Sequence, residues 1–142
     1  MDRITESRTR LWTALAPLLP VGRVSLYVPK QVVSPTIWIE RHAWSTTSEG
    51  GAPVVALAWK VIAATDSDDS QAVLDELSAK IYDTIVRARF RPRFADATVI
   101  DIGGVSTTGL AVTCEEMIAY STMCYPEQPS PTPIRKLENV NV

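Results

Sequence analysis

Two strand-forming runs around one polar loop constrain this chain more than any other feature. TIWIERHAW (Thr36–Trp44) and VVALAWKVIAAT (Val54–Thr65) are rich in β-branched and aromatic residues, and STTSEGGAP joins them. Trp38, Trp44 and Trp59, three of the four tryptophans, fall here. Residues directly opposite in an antiparallel pair share a face. If Trp44 opposes Val54, then Ile39 faces Trp59, Ile37 faces Val61 and Arg41 faces Leu57. That face is mostly large and apolar, and we assign it to the core. The other face pairs Trp38 with Lys60, Glu40 with Ala58 and His42 with Ala56, beside Trp44. A one-residue slip would separate Ile39 from Trp59, so this parity is preferred, with the offset left open.

The remaining elements follow in order. Residues 3–16 predict an amphipathic helix, with Ile4, Leu11, Trp12 and Leu15 at helical spacing and Pro17 and Pro20 at its end. VSLYV (Val24–Val28) predicts a first strand. A second helix runs from about Ser70 to Ala88, its stripe being Val73, Leu74, Leu77, Ile81, Ile85 and Ala88. Asp66, Asp68 and Asp69 suit its positive end, Arg87, Arg89 and Arg91 suit its negative end, and Pro92 stops it. ATVIDI (Ala97–Ile102) predicts a strand, Gly103–Gly109 a turn, and Leu110–Thr122 a long last strand. The expected fold is α+β. A single mixed, mostly antiparallel sheet of about five strands, in the order α-β-β-β-α-β-β, has both amphipathic helices on one face. Strand three, helix two and strand four suit a crossover connection. The other face then meets solvent or another chain. Residues 1–125 read as one domain. The Pro-rich stretch from Pro126 to Val142 reads as an extended or disordered tail, either without a role or docked on a neighbouring chain.

Length and charge bound the rest. A chain of 142 residues is one domain in size, and 46% hydrophobic residues suffice for a core. A net charge of −2 recruits neither nucleic acid nor an anionic membrane globally. No stretch approaches the ~20 apolar residues that span a bilayer. The start carries Arg3, Arg8 and Arg10 before LWTALAPLLPV, but Asp2, Glu6, Pro17 and Pro20 argue against a signal peptide. Cys114 and Cys124, if on one strand, would lie roughly 33 Å apart at ~3.3 Å per residue, so two free thiols and a reducing compartment are expected.

No catalytic constellation emerges, and no enzyme activity is expected. His42 is the single histidine, and GVSTTG (Gly104–Gly109) is not the nucleophile elbow. His42, Cys114 and Cys124 lack metal-ligand spacing. The run from Asp66 has Gln71 and Leu77 where a calcium loop needs Gly and Glu, and helix capping accounts for its acids. Glu115 and Glu116 are adjacent on a strand, so they point to opposite faces and cannot work as a carboxylate pair. No cofactor and no metal are expected.

Two features point to surfaces instead. RARFRPRF (Arg87–Phe94) sets Arg87, Arg89, Arg91 and Arg93 among Phe90, Pro92 and Phe94. It reads as a nucleic-acid patch with Phe for stacking, as a basic helix end with its loop, or as a surface toward an acidic neighbour. The mixed hairpin face, with Trp38, Glu40, His42 and Trp44, reads as an interface or as partly covered by the N-terminal segment or tail.

The opening RTRLWTALAPLLP helix, the VALAWKVIAAT strand leading into DSDDSQAVLDELSAKIYDTI, and the closing GLAVTCEEMIAYSTMCYPE strand together resemble the tail terminator (tail completion) proteins of long-tailed bacteriophages. The likeness covers residues 3–126 and is one of pattern, without an invariant motif. It implies a structural virion protein at the head-proximal end of the tail, assembled in the host cytoplasm. Such a protein forms a ring with copies of itself, usually a hexamer. The ring caps the tail tube protein, meets a head–tail connector protein, and lets DNA pass without sequence-specific contact. The regions expected to make contacts are the loop Ser45–Pro53 with Ser48 and Glu49, the Arg87–Arg93 segment, and the Trp38/Trp44 face. The alternatives are another head–tail connector or tail tube component, or a small nucleic-acid-binding module using Arg87–Arg93.

Overall fold

A computed structural model describes residues 2–31, 35–47, 53–65, 70–102 and 104–119. A helix Arg3–Leu15 (α1) ends in a 3-10 turn at Ala16–Leu18. There follow a short strand Val24–Ser25 (β1), strands Thr36–Thr47 (β2) and Val54–Thr65 (β3), a helix Ser70–Arg87 (α2), and strands Arg91–Ile102 (β4) and Val105–Ala119 (β5). The five strands form one sheet in the order β1-β2-β3-β5-β4. β1 and β2 are parallel and every other neighbouring pair is antiparallel. The expected α+β class and element order are present. Because β5 lies between β3 and β4, those two strands run in the same direction and α2 crosses over the strand between them.

Local chemistry sets these boundaries. Asp2 caps α1, its carboxylate accepting from the Thr5 N–H at 2.7 Å. α2 closes in a Schellman turn: the Phe90 N–H bonds the Ile85 carbonyl at 3.0 Å and the Arg89 N–H bonds that of Val86 at 3.1 Å. That turn puts Arg89 at φ 69°, the left-handed region where glycine is favoured. Phe90 and Ile85 both enter the core, as the motif's apolar contact requires.

The core lies between the helices and one sheet face. Leu11 and Leu15 of α1 and Leu74, Leu77, Ile81 and Ile85 of α2 pack on Ile37, Ile39, Leu57, Trp59, Val61, Val112 and Cys114. Both helices thus cover one face, and the apolar half of the hairpin is where alternation placed it.

Three expectations are corrected here. β1 is shorter than Val24–Val28. β4 begins at Arg91, not Ala97, and β5 begins at Val105, so the segments read as loop and turn are mostly strand. Pro92 did not exclude a strand because β4 is an edge, where a missing N–H is tolerated. The hairpin register also differs. Ile39 opposes Val61 and Arg41 opposes Trp59. A bulge then sets His42 out of register, so that Ala43 opposes Ala58 and Trp44 opposes Leu57. A second bulge falls at Arg93, between the pairs Pro92–Cys114 and Phe94–Thr113. Both bulges adjoin one row across the sheet, Arg41–Trp59–Cys114–Pro92. Between them, β3 and β5 pair from Val54–Ala119 to Thr65–Thr108 with no irregularity.

Candidate interface surfaces

The face away from the helices is not uniformly open. Trp38, Ile62, Ala64, Ile100 and Ala111 form a second apolar cluster on it, with Ile102 against them. Trp38 is only 1% exposed, and its indole N–H donates to the Glu40 carboxylate at 2.8 Å. Gly109 makes this possible, because a Cβ there would collide with the Cδ1 of Ile100. A groove of about 280 Å³ borders the cluster, with Val28, Glu40 and Lys60 on its walls.

The expected Trp38/Trp44 surface therefore does not exist as one surface. The His42 bulge puts Trp44 opposite Leu57, on the helix-side face, where it is 55% exposed at the hairpin end. Trp38 lies on the other face, covered. Plain alternation runs both tryptophans in one phase, and the extra residue breaks that phase. His42 itself is exposed. Ser48 and Glu49, like Asp66–Asp69 and the Pro-rich tail, lie outside the described residues.

Glu115 and Glu116 diverge as their adjacency demands. Glu116 points to the helices, accepting from the Ser7 hydroxyl at 2.7 Å and pairing with Arg10, while the Trp59 indole donates to Ser7 at 3.0 Å. Arg10 also stacks over Phe90 at 4.5 Å. This chain of contacts fixes α1 on the sheet at a buried tryptophan. Arg8 works beside it, donating to the carbonyls of Leu26 and Ile39 and lying over the Tyr27 ring. It thereby satisfies the edge of β2 just past the end of β1.

Glu115 points the other way and gathers arginines. One carboxylate oxygen accepts from Arg91 at 2.8 Å and from Arg93 at 3.1 Å. Desolvation works to raise its pKa, but the two guanidiniums outweigh it and hold the carboxyl below its usual value. Arg87 pairs with Asp83 one turn back at 2.8 Å. Arg89 projects from the left-handed position of the helix cap with no acid of the described residues upon it. Phe90 is 3% exposed, so the stacking role expected for it is ruled out.

On the helix side of β4, a groove of about 310 Å³ runs between α2 and the sheet edge, lined by Ser78, Tyr82, Pro92, Arg93, Phe94 and Ala95 with Val112 below. Sequence reasoning missed this groove. Tyr82 lies off the apolar stripe of α2, and the segment around Phe94 is too short and too basic to show a strand period. Cys114 is a free thiol in the core; burial first, then Glu115 and Glu116, push its pKa up to about 12, which keeps it protonated and unreactive. Among the described residues no three of His, Cys, Asp and Glu gather as a metal site, and no helix is long and apolar enough to cross a membrane. No protein-family model matches the chain, and no curated protein matches it.

Proposed function

We propose that this chain is a structural virion protein. Copies of it close a ring, usually a hexamer in the proteins it resembles, at the head-proximal end of a phage tail tube. The ring ends tube polymerisation and offers the surface to which a head joins. The observation that carries this reading is the shape of the sheet. Among the described residues, β4 pairs with β5 alone, and β2 beyond Trp38 pairs with β3 alone. The two lateral edges are different surfaces, so a contact that joins one edge to the other edge of the next copy is head to tail, and a head-to-tail contact whose rotation closes gives a ring. The order α-β-β-β-α-β-β, with both helices on one face, agrees with the resemblance.

Function in this reading is surface complementarity. The free chain stays dispersed and closes a ring on the tube end, where preorganised neighbours lower the cost of ordering it. Deleting the gene from a long-tailed phage should give tails of uncontrolled length or unjoined heads and tails; normal virions from that deletion would rule the reading out. Particle mass in solution, measured with and without isolated tail tubes, tests it directly. A strict monomer that ignores the tubes counts against it, and labelling of a site elsewhere in the neck or tube would move the protein to that position.

A further inference from the structure

We infer that the groove between α2 and β4 receives an extended acidic segment of a protein partner, added as a strand along the open edge of β4. This does not depend on the virion reading; in a ring closed through the β4 edge, the segment and the neighbouring copy would compete for that edge.

Three features converge at this edge. The first is backbone. β4 is twelve residues long and lies at the end of the sheet. Pro92 and the bulge at Arg93 blunt only its beginning. From Phe94 to Ile102 its outward N–H and C=O groups form a row that another strand can match. The second is apolar area. Tyr82, 58% exposed, flanks the groove, with Pro92 and Ala95 beside it. A side chain from an added strand would fill it.

The third is charge. Arg87, Arg89, Arg91 and Arg93 cluster at the beginning of β4, where Arg91 and Arg93 share one oxygen of Glu115 and Arg87 has the exposed Asp83. Each guanidinium carries five donors, so most of this capacity is unspent. Arg89 sits at φ 69°, a position glycine would fill with less strain. An arginine held there keeps a cation at the mouth of the edge.

These features favour a polypeptide over a nucleic acid. Phe90 is buried, a strand edge asks for backbone amides that nucleic acid lacks, and Tyr82, Pro92, Ala95 and Val112 give the groove apolar walls beside Ser78 and Arg93. Antiparallel addition is the more stable sense and puts the incoming C-terminal end beside the arginines. The partner segment therefore alternates apolar residues and then ends in acids.

The test uses a fluorescent synthetic peptide of alternating valine and threonine ending in a run of glutamates, a second ending in lysines, and duplex DNA, each titrated against the full chain. The glutamate peptide should bind and weaken as salt rises, while the lysine peptide should not bind. Arg89→Gly suits the left-handed cap and keeps the fold; it should weaken binding roughly two- to fivefold, as should Arg87→Gln. Tyr82→Ala should weaken it as well, with unchanged circular dichroism. No binding of the glutamate peptide, equal binding of both peptides, or undiminished binding by Arg89→Gly would each overturn the inference. Tighter binding of DNA than of the peptide would replace it with the nucleic-acid reading.

Discussion

At the scale of single residues, what matters is where burial and strain fall. Trp38 is enclosed by Ile62, Ile100 and Ala111, so Trp38→Ala removes a core side chain. It should lower unfolding free energy by about 3–5 kcal/mol in a denaturant titration. An effect on assembly alone, with stability unchanged, would contradict its burial. Arg89→Gly should move the other way. Relief of the left-handed conformation, less the entropy glycine adds to the unfolded chain, leaves about 0.5–1 kcal/mol of extra stability. A shift of the denaturant midpoint to higher concentration checks it. Neither effect was legible in the sequence. Trp38 stands among polar neighbours on an alternating strand, and what covers it comes from Ile100 and Ile102, far along the chain. A left-handed arginine has no signature, since the usual mark of that cap is glycine.

At the scale of elements, the sequence was clearest where one periodicity persisted. The α2 stripe from Leu74 to Ile85 and the alternation from Val55 to Val61 assign helix, strand and core face without further information. The edges were harder to read. RARFRPRF contains a helix end, a Schellman turn and the start of an edge strand, each too short to show its own period. The attachment of α1 to the sheet was hidden for another reason. It joins Ser7 and Arg10 to Glu116, more than a hundred residues away in sequence. Glu116→Ala strips the Ser7 hydroxyl of its acceptor and Arg10 of its counter-ion, at a cost of about 1–3 kcal/mol. Hydrogen exchange should show α1 amides losing protection while β3 and β5 keep theirs; uniform loss across the sheet would mean that α1 is not separately held.

At the scale of the whole molecule, acid should act through the β4 edge. The Glu115 carboxyl has a folded-state pKa below its ordinary value, so its contribution is present above that ordinary value and is lost as pH falls through the lower folded one. Unfolding midpoints measured on either side of that window should show the loss in the natural chain and a smaller one in Glu115→Gln. Equal pH dependence of the two would remove Glu115 as the cause. The ring reading belongs to this scale as well, because it rests on two different lateral edges and on no single side chain.

The two bulges have a mechanical consequence. His42 and Arg93 interrupt the outer ladders beside the same row, Arg41–Trp59–Cys114–Pro92, while the central β3–β5 ladder runs through it unbroken. Bulges bend and over-twist the strands that carry them. The sheet is thus two panels joined by a stiff central seam and creased on both sides. One panel carries the Trp38 cluster; the other carries Trp44 and the ends of β2 and β3 at Thr47 and Val54. A force applied at the Thr47–Val54 end would flex the outer strands at the crease, and the seam would keep the displacement from the Trp38 panel.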